Sequence, residues 1–269
     1  LIKWSFHTYI KTRGCILKPE TKHFMQHTIE LRKRLGWTVV CFLICSFAAF
    51  AFHNQIFSIL MEPAEHFSSA PNNKPIYTEL TEYLSAAFKV SLFAGIILST
   101  PIIIYQIVMF ASPGLKKSEK VYLWILIPSS LTLFLIGAAF GYWILFPPMI
   151  KFLLTFGSDI ASPFIKIGNY TNIMISLLFW MGLIFETPLI MFFLSKIGVV
   201  NHNILRKYRR HTIVIAFVLG AIITPTIDPI TQSLVALPII IMYEAGIWLS
   251  WIAKRGNQKW DNGNNLRSI

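Results

Sequence analysis

The sequence predicts an all-α integral membrane protein with six transmembrane helices, both termini on the inner side (N-in/C-in) and a short last pair of spans. Three observations lead there. Of 269 residues, 55% are hydrophobic and only 13% charged, with a mean hydropathy of +0.59, whereas a soluble domain carries about a quarter charged residues. The apolar residues gather into six runs, most of them near the roughly 20 residues a helix needs to cross the hydrocarbon core. The basic residues collect in alternate connections between those runs, which is a topology signal. That placement also argues against nucleic acid as a partner. A formal net charge of +12 and a pI near 9.7 would suit a phosphate-binding surface, but here the charge is dispersed over short loops.

The chain divides into a basic N-terminal extension, residues 1–24, a six-span membrane domain, residues 25–252, and a polar C-terminal tail, residues 253–269. The spans are expected at residues 37–60, 84–110, 121–147, 171–194, 212–226 and 232–252. None shows the period-two alternation of a membrane barrel. The fifth run holds only 15 residues and closes at Pro225, so either its ends unwind into protein-lined space or the bilayer thins beside it. Between the first two spans, MEPAEHFSSAPNNKPIYTELTEY (61–83) is too long for a simple turn and is expected to form short capping helices. Residues 148–169 make a second outer loop. The two halves share no internal repeat, so the inverted symmetry of many secondary transporters is absent.

Lys and Arg set the orientation. The N-terminal segment carries Lys3, Lys11, Arg13, Lys18, Lys22, Arg32, Lys33 and Arg34. The second-to-third-span loop has Lys116, Lys117 and Lys120; the fourth-to-fifth connection has Lys196, Arg206, Lys207, Arg209 and Arg210; the tail has Lys254, Arg255, Lys259 and Arg267. Opposite loops hold only Lys74, Lys151 and Lys166, and Lys89 lies one turn inside the second span, placed to snorkel outward. Both termini are therefore expected on the cytoplasmic, matrix or stromal side. No removable signal peptide is expected, because the first 36 residues lack a short apolar core with a small-residue cleavage site.

Cofactor chemistry finds no foothold. Cys41 and Cys45 sit in an apolar run where cysteine behaves as a small hydrophobe, and neither a CxxC pair nor zinc-like histidine spacing occurs. No GxxxxGK[ST] loop is present to bind a nucleotide. An intramembrane hydrolase is disfavoured too, since no Ser/His or paired-Asp constellation falls within the spans. His53 and His66 read as outer-surface polar residues.

Several short motifs stand out. HTIELRKRL (27–35) reads as an amphipathic helix at the inner surface, where Arg32, Lys33 and Arg34 meet anionic headgroups. Anchoring accounts for Lys33 and Arg34 but not for Glu30, an acid inside a basic cluster. FASPGLKKSEK (110–120) carries a Pro113-Gly114 turn signal and one acid, Glu119. Two carboxylates beside two membrane-entry helices suit recognition of paired guanidinium groups, which they bind in bidentate fashion. GAAFG (137–141) spaces two glycines for close helix contact, within the chain more readily than between chains. TPTIDP (224–229) and MYEAG (242–246) place Asp228 and Glu244 near opposite ends of the last two spans. Glu186, in FWMGLIFETPLIMFF (179–193), lies ten residues before Lys196, roughly 15 Å along a helix and so near the bilayer midplane. Pro188 frees a backbone carbonyl beside it. Such a carboxyl is either protonated and hydrogen-bonded within the bundle, or a polar dock for another membrane helix, or a proton-relay site.

In register, these motifs resemble those of the TatC family, the receptor subunits of the twin-arginine protein translocase. HTIELRKRL resembles that family's opening H-L-x-E-L-R-x-R-L, and FASPGLKKSEK, IGAAFGYWILFP, GLIFETPLI, ITPTIDPITQ and IMYEAG follow in the same order over about residues 25–252. Thr28 and Lys116 depart from the usual pattern, away from the acidic positions. The resemblance implies six tilted spans forming a concave bowl, no enzymatic activity and no cofactor. It implies signal-peptide binding by Glu30, Arg32, Phe110 and Glu119, with Glu186, Asp228, Gln232 and Glu244 as intramembrane polar or partner-docking groups. Structural roles fall to Pro63, Pro113, Gly114 and Pro188. The implied partners are TatA-like and TatB-like single-span subunits, twin-arginine signal peptides of folded substrates, the lipid bilayer and further copies of the chain, with export driven by the proton-motive force. Two other classes stay open: a proton-coupled small-molecule transporter or channel using Glu186, Asp228 and Glu244 as a relay, and an assembly subunit of a respiratory complex. The excess of Ile (40) over Ala (17), together with the basic extension and a first residue other than Met, leads to the expectation of a mitochondrial inner membrane, with thylakoid and bacterial plasma membranes as alternatives.

Overall fold

A computed structural model describes residues 19–65, 75–111, 120–156, 165–196, 198–200, 202–224 and 228–265. Within them the chain is helical: α1 (Pro19–Ala51), α2 (His53–Glu65), α3 (Glu82–Ala111), α4 (Lys120–Phe140), a π turn (Gly141–Leu145), α5 (Phe146–Thr155), α6 (Ile167–Lys196), α7 (His202–Lys207), α8 (Arg209–Ile223) and α9 (Pro229–Asn265). Five stretches are long and apolar enough to cross a membrane: Ile29–Ala51, Glu82–Ile107, Leu126–Thr155, Ile167–Lys196 and Pro229–Ala253. The remaining expected span is α8, only 15 residues long.

α6 is the central post. Its buried face runs Tyr170, Met174, Leu177, Leu178, Met181 and Gly182, the three-and-four spacing of one helix face, and it packs against α3, α4 and α9. The two glycines of GAAFG face it, as expected for packing within the chain. A Cβ on Gly137 would lie 2.6 Å from the Met181 carbonyl oxygen, and one on Gly141 would lie 3.2 Å from Leu178 Cδ2. α6 answers with its own glycine: a Cβ on Gly182 would lie 2.6 Å from the Phe134 ring. Small residues on both helices let the α4 and α6 backbones approach, where dispersion contacts drive association in lipid.

Three expectations need correction. The span at 37–60 is not one helix: the chain turns at Phe52, and His53 Nδ1 lies 2.8 Å from the Phe50 carbonyl oxygen. Beyond the turn α2 carries His53, Asn54, Gln55 and Glu62 and leaves the apolar path. Pro63, at the start of the segment expected to form capping helices, is buried in the last turns of α2. The third span does not stop at Pro147. Instead the Phe146 N–H bonds to the Gly141 carbonyl across the π turn, and Pro147 and Pro148 occupy the first turn of α5, where a missing N–H is tolerated. Lastly, α9 is 37 residues long and continues without a break into the polar tail, so the last span is not short. Only α8 is, and it begins at Arg209 rather than at 212.

At the end of the bundle opposite the α1–α3 basic contact, polar groups fasten the helices. Ile76 bridges to the strand-like step before α6, its N–H to the Ile165 carbonyl at 3.0 Å and its carbonyl accepting from the Ile167 N–H at 2.9 Å. Glu82 accepts from the Thr78 N–H at 2.8 Å and from the Gly168 N–H at 2.9 Å, setting a carboxylate against the first turn of α6, where helix-end N–H groups favour an anion. Tyr142 and Tyr170 donate to the Ile59 and Leu60 carbonyls, at 2.6 and 3.0 Å, and tie α2 to the bundle. Lys89 Nζ donates to Asn172 Oδ1 on α6 at 3.1 Å.

Candidate functional site

At the basic end, the first turns of the α1 span meet the last turns of α3. Glu30 and Arg34 stand four residues apart on α1, hence on one face, and Arg34 donates to Glu30 Oε1 from Nε at 3.0 Å and from Nη2 at 2.6 Å. Its Nη1 donates to Gln106 Oε1 on α3 at 3.3 Å. One guanidinium thus fixes the orientation of the Glu30 carboxylate and clasps two helices. Arg32, by contrast, is exposed and turns toward a shallow groove with Ile29, Lys33 and Trp37, away from Glu30. Phe110 lies in the last turn of α3, one helical turn beyond Gln106. Pro113, Gly114 and Glu119 lie outside the described residues. Sequence reasoning assigned Arg34 to anchoring and passed over Gln106. The available signal was an amide inside an otherwise apolar span, four residues before Phe110.

The second locus lies within the membrane domain. α3, α4 and α6 splay around a cavity of about 700 Å³. Its walls are mostly aliphatic and aromatic, among them Ile103, Leu126, Phe134 and Leu183, and Glu186 is the charged residue among them. Glu186 is 5% exposed and accepts at Oε1 from the Ser130 hydroxyl of α4 at 3.0 Å. Pro188 is buried one half-turn further on. Among the described residues the carboxyl has Ser130 as its hydrogen-bond donor, and it borders the cavity.

Asp228, Gln232 and Glu244 are not brought to that cavity. Asp228 caps α9: its Oδ2 accepts from the Thr231 N–H at 2.7 Å and its Oδ1 from the Thr231 hydroxyl at 2.6 Å, a standard use of an acid at a helix start. Gln232 donates to the Phe217 carbonyl at 2.7 Å, and Glu244 pairs with Arg209 at 2.6 Å. All three secure α9 or join it to α8. A relay from Glu186 through Asp228 to Glu244 therefore has no support in their placement. Among the described residues no cluster of three or more His, Cys, Asp or Glu could hold a metal ion.

Comparison with known proteins bears on this arrangement. Residues 26–238 match the family described as Sec-independent protein translocase protein (TatC). The chain is 35% identical over 237 residues to the Sec-independent protein translocase protein TatC of Carboxydothermus hydrogenoformans, covering 88% of this chain and 95% of that one. It is 38% identical over 232 residues to TatC of Aquifex aeolicus, covering 86% and 95%. With the uncharacterized tatC-like protein ycf43 of Guillardia theta it shares 33% over 273 residues, covering 97% and 91%. Its fold superposes on a crystal structure of the twin arginine translocase receptor TatC with a TM-score of 0.75 at 38% identity, over 85% of this chain and 99% of that one. With sequence and fold agreeing across the membrane domain, the chain belongs to the TatC family of Sec-independent protein translocase proteins.

Proposed function

We propose that this chain reads twin-arginine signal peptides at its inner basic face and is the core on which TatA-like and TatB-like single-span subunits assemble with further copies of the chain. It is a translocase component rather than an enzyme. The observation that carries the reading is the Glu30–Arg34–Gln106 clasp, a carboxylate oriented by a guanidinium at a half-exposed membrane edge. A carboxylate that already holds one guanidinium, two of whose N–H groups converge on Oε1, has the charge to exchange it for an arginine of a peptide. Glu119 follows α3 in sequence and supplies the second acid for the second arginine. Glu186, open to the cavity, is the dock for a polar residue on a partner helix, and the proton-motive force drives the transport step.

The five apolar spans make the chain an integral membrane protein. Its compartment is the inner membrane of a mitochondrion, a reading supported by the excess of 40 Ile over 17 Ala. Co-fractionation with inner-membrane markers is the expected result, and co-fractionation with thylakoid or plasma-membrane markers overturns that assignment.

The receptor reading is tested by site-specific photocrosslinking to a twin-arginine peptide, with the wild type, Glu30→Ala, Glu119→Ala and a peptide carrying lysines in place of its arginines. Crosslinks near residues 110–120 should vanish with each change; crosslinks indifferent to all of them refute the site. In parallel, Glu186→Ala should weaken crosslinks to a TatA-like helix and leave peptide crosslinks intact. Wild-type partner crosslinking in that variant refutes the docking role.

A further inference from the structure

A group of basic residues at the α7–α8 joint takes no part in the proposed peptide site. His202, Arg206 and Arg209 fall four and three residues apart, and opposite them on α9 stand Ile247, Trp248 and Trp251; these six residues line a pocket of about 280 Å³. Two bonds hold its walls together. The Tyr243 hydroxyl donates to the Leu205 carbonyl at 2.9 Å, and Arg209 Nη2 donates to Glu244 Oε2 at 2.6 Å. On α9, Glu244, Ile247, Trp248 and Trp251 follow the i, i+3, i+4, i+7 spacing of a single face, so the acid that positions Arg209 and the rings that flank it belong to one stripe.

The pocket has two chemistries. On one wall, Arg206 and Arg209 carry two positive charges against the single negative charge of Glu244, an excess of one cation before His202 is counted. Arg209 is also under-satisfied: its Nε is buried and, among the described residues, has no acceptor. On the other wall, Trp248 is 68% and Trp251 40% exposed, within the last turns of the apolar stretch that ends at Ala253. Indole rings at that height sit at the level of lipid headgroups. A membrane-anchoring helix end accounts for the tryptophans but not for two arginines converging on them. A soluble anion site accounts for the arginines but not for exposed tryptophans. A ligand with one negative charge joined to an apolar chain accounts for both.

We propose that this pocket binds the headgroup of an anionic phospholipid, its phosphodiester held by Arg206, Arg209 and His202 and its glycerol and first acyl carbons lying along Trp248 and Trp251. Basic pockets between membrane helices on the inner side recognise such headgroups, and a phosphodiester's single charge matches the one-cation excess. The bound lipid would brace α7 and the start of α8 against α9.

The test is native mass spectrometry of the full chain in neutral detergent, titrated with phosphatidylglycerol, phosphatidylcholine or inorganic phosphate. Arg206→Gln and His202→Gln are the variants, since both positions lie outside the buried core and keep the Arg209–Glu244 pair. Lys151→Gln is the control, an exposed lysine on α5 that does not line the pocket, and helical circular dichroism on heating verifies each fold. Retention of phosphatidylglycerol should fall about tenfold in Arg206→Gln, the loss of one charge-assisted contact, and should be unchanged in Lys151→Gln. Equal retention in Arg206→Gln and wild type overturns the proposal. So does phosphatidylcholine bound as tightly as phosphatidylglycerol, which would leave only the tryptophans at work. Displacement of the lipid by equimolar inorganic phosphate also overturns it, in favour of a free-anion site.

Discussion

Ser130 on α4 and Glu186 on α6 meet across the cavity wall, the hydroxyl donating to Oε1 at 3.0 Å. This bond is what makes a carboxyl tolerable among the aliphatic walls of three membrane helices. It also fixes the direction in which the carboxyl points.

Ser130→Ala should therefore destabilise the bundle by about 0.6–1.7 kcal/mol, the range for an interhelical hydrogen bond in a membrane protein. If the loss comes from stranding the carboxyl, Ser130→Ala combined with Glu186→Leu should recover most of it, because removing both partners leaves nothing unsatisfied. Thermal unfolding in detergent measures the four corners of the cycle. Additive losses would mean that the two side chains do not depend on each other.

The helices were legible because a carboxylate or a basic loop interrupts apolar runs visibly, and Glu186 was legible for the same reason. Its partner was not: Ser130 lies 56 residues away in sequence, and Gln106 lies 72 from Arg34, so each pairing depends on how distant spans pack. The turn at Phe52 and the passage through Pro147 and Pro148 were hidden for a different reason. Hydropathy reports whether a segment prefers lipid, and both sides of each joint contain apolar residues. Nor could composition separate Asp228, Gln232 and Glu244 from Glu186, since all are polar residues beside or inside apolar runs; only the α8–α9 junction distinguishes them.

Gly137 and Gly141 share a motif but should respond differently to alanine. At Gly137 the new Cβ meets a backbone oxygen at 2.6 Å, and at Gly141 it meets side-chain carbons at 3.2 Å and beyond. Backbone cannot rotate away as a Leu178 methyl can. Gly137→Ala should cost about 1–3 kcal/mol, the usual penalty of overpacking, and Gly141→Ala clearly less. Melting temperatures of the two variants, measured in one detergent, give the comparison; equal losses would show that α4 and α6 can slide apart.

Arg209 and Glu244 join α8 to α9 at 2.6 Å, yet their side chains remain 40% and 38% exposed. At that exposure the coupling between them should be small, about 0.2–1 kcal/mol, and should shrink as salt rises. A double-mutant cycle with Arg209→Gln and Glu244→Gln, run at low and high salt, reads it directly. A coupling that is large and indifferent to salt would place the pair in a drier environment than its exposure implies.

As the fifth span expected from the sequence, α8 sets the sharpest physical demand on the surrounding bilayer. Its 15 residues end at Ile223, and the extended backbone of the capping Thr224 (ψ 138°) stops the helix. At 1.5 Å per residue it is about 22 Å long, against a hydrocarbon core of about 30 Å. Gly220 and Gln232 hold it close to α9, with room for no side chain between them: a Cβ on Gly220 would lie 2.9 Å from the Gln232 carbonyl oxygen. α8 therefore cannot gain reach by separating from its neighbour, and the outward-facing residues Val214, Val218 and Ile222, all exposed, must be met by a thinner apolar layer. Nitroxide labels at these three positions should show a maximal depth several ångströms shallower than labels on the exposed positions Val39 and Leu43 of α1, read by power saturation with oxygen and a nickel chelate. Local thinning is favoured because a mismatch of this size costs only fractions of a kcal/mol per ångström, less than breaking the α8–α9 contacts. A full-thickness burial profile along α8 would show instead that the bilayer keeps its depth and the ends of α8 are buried in protein.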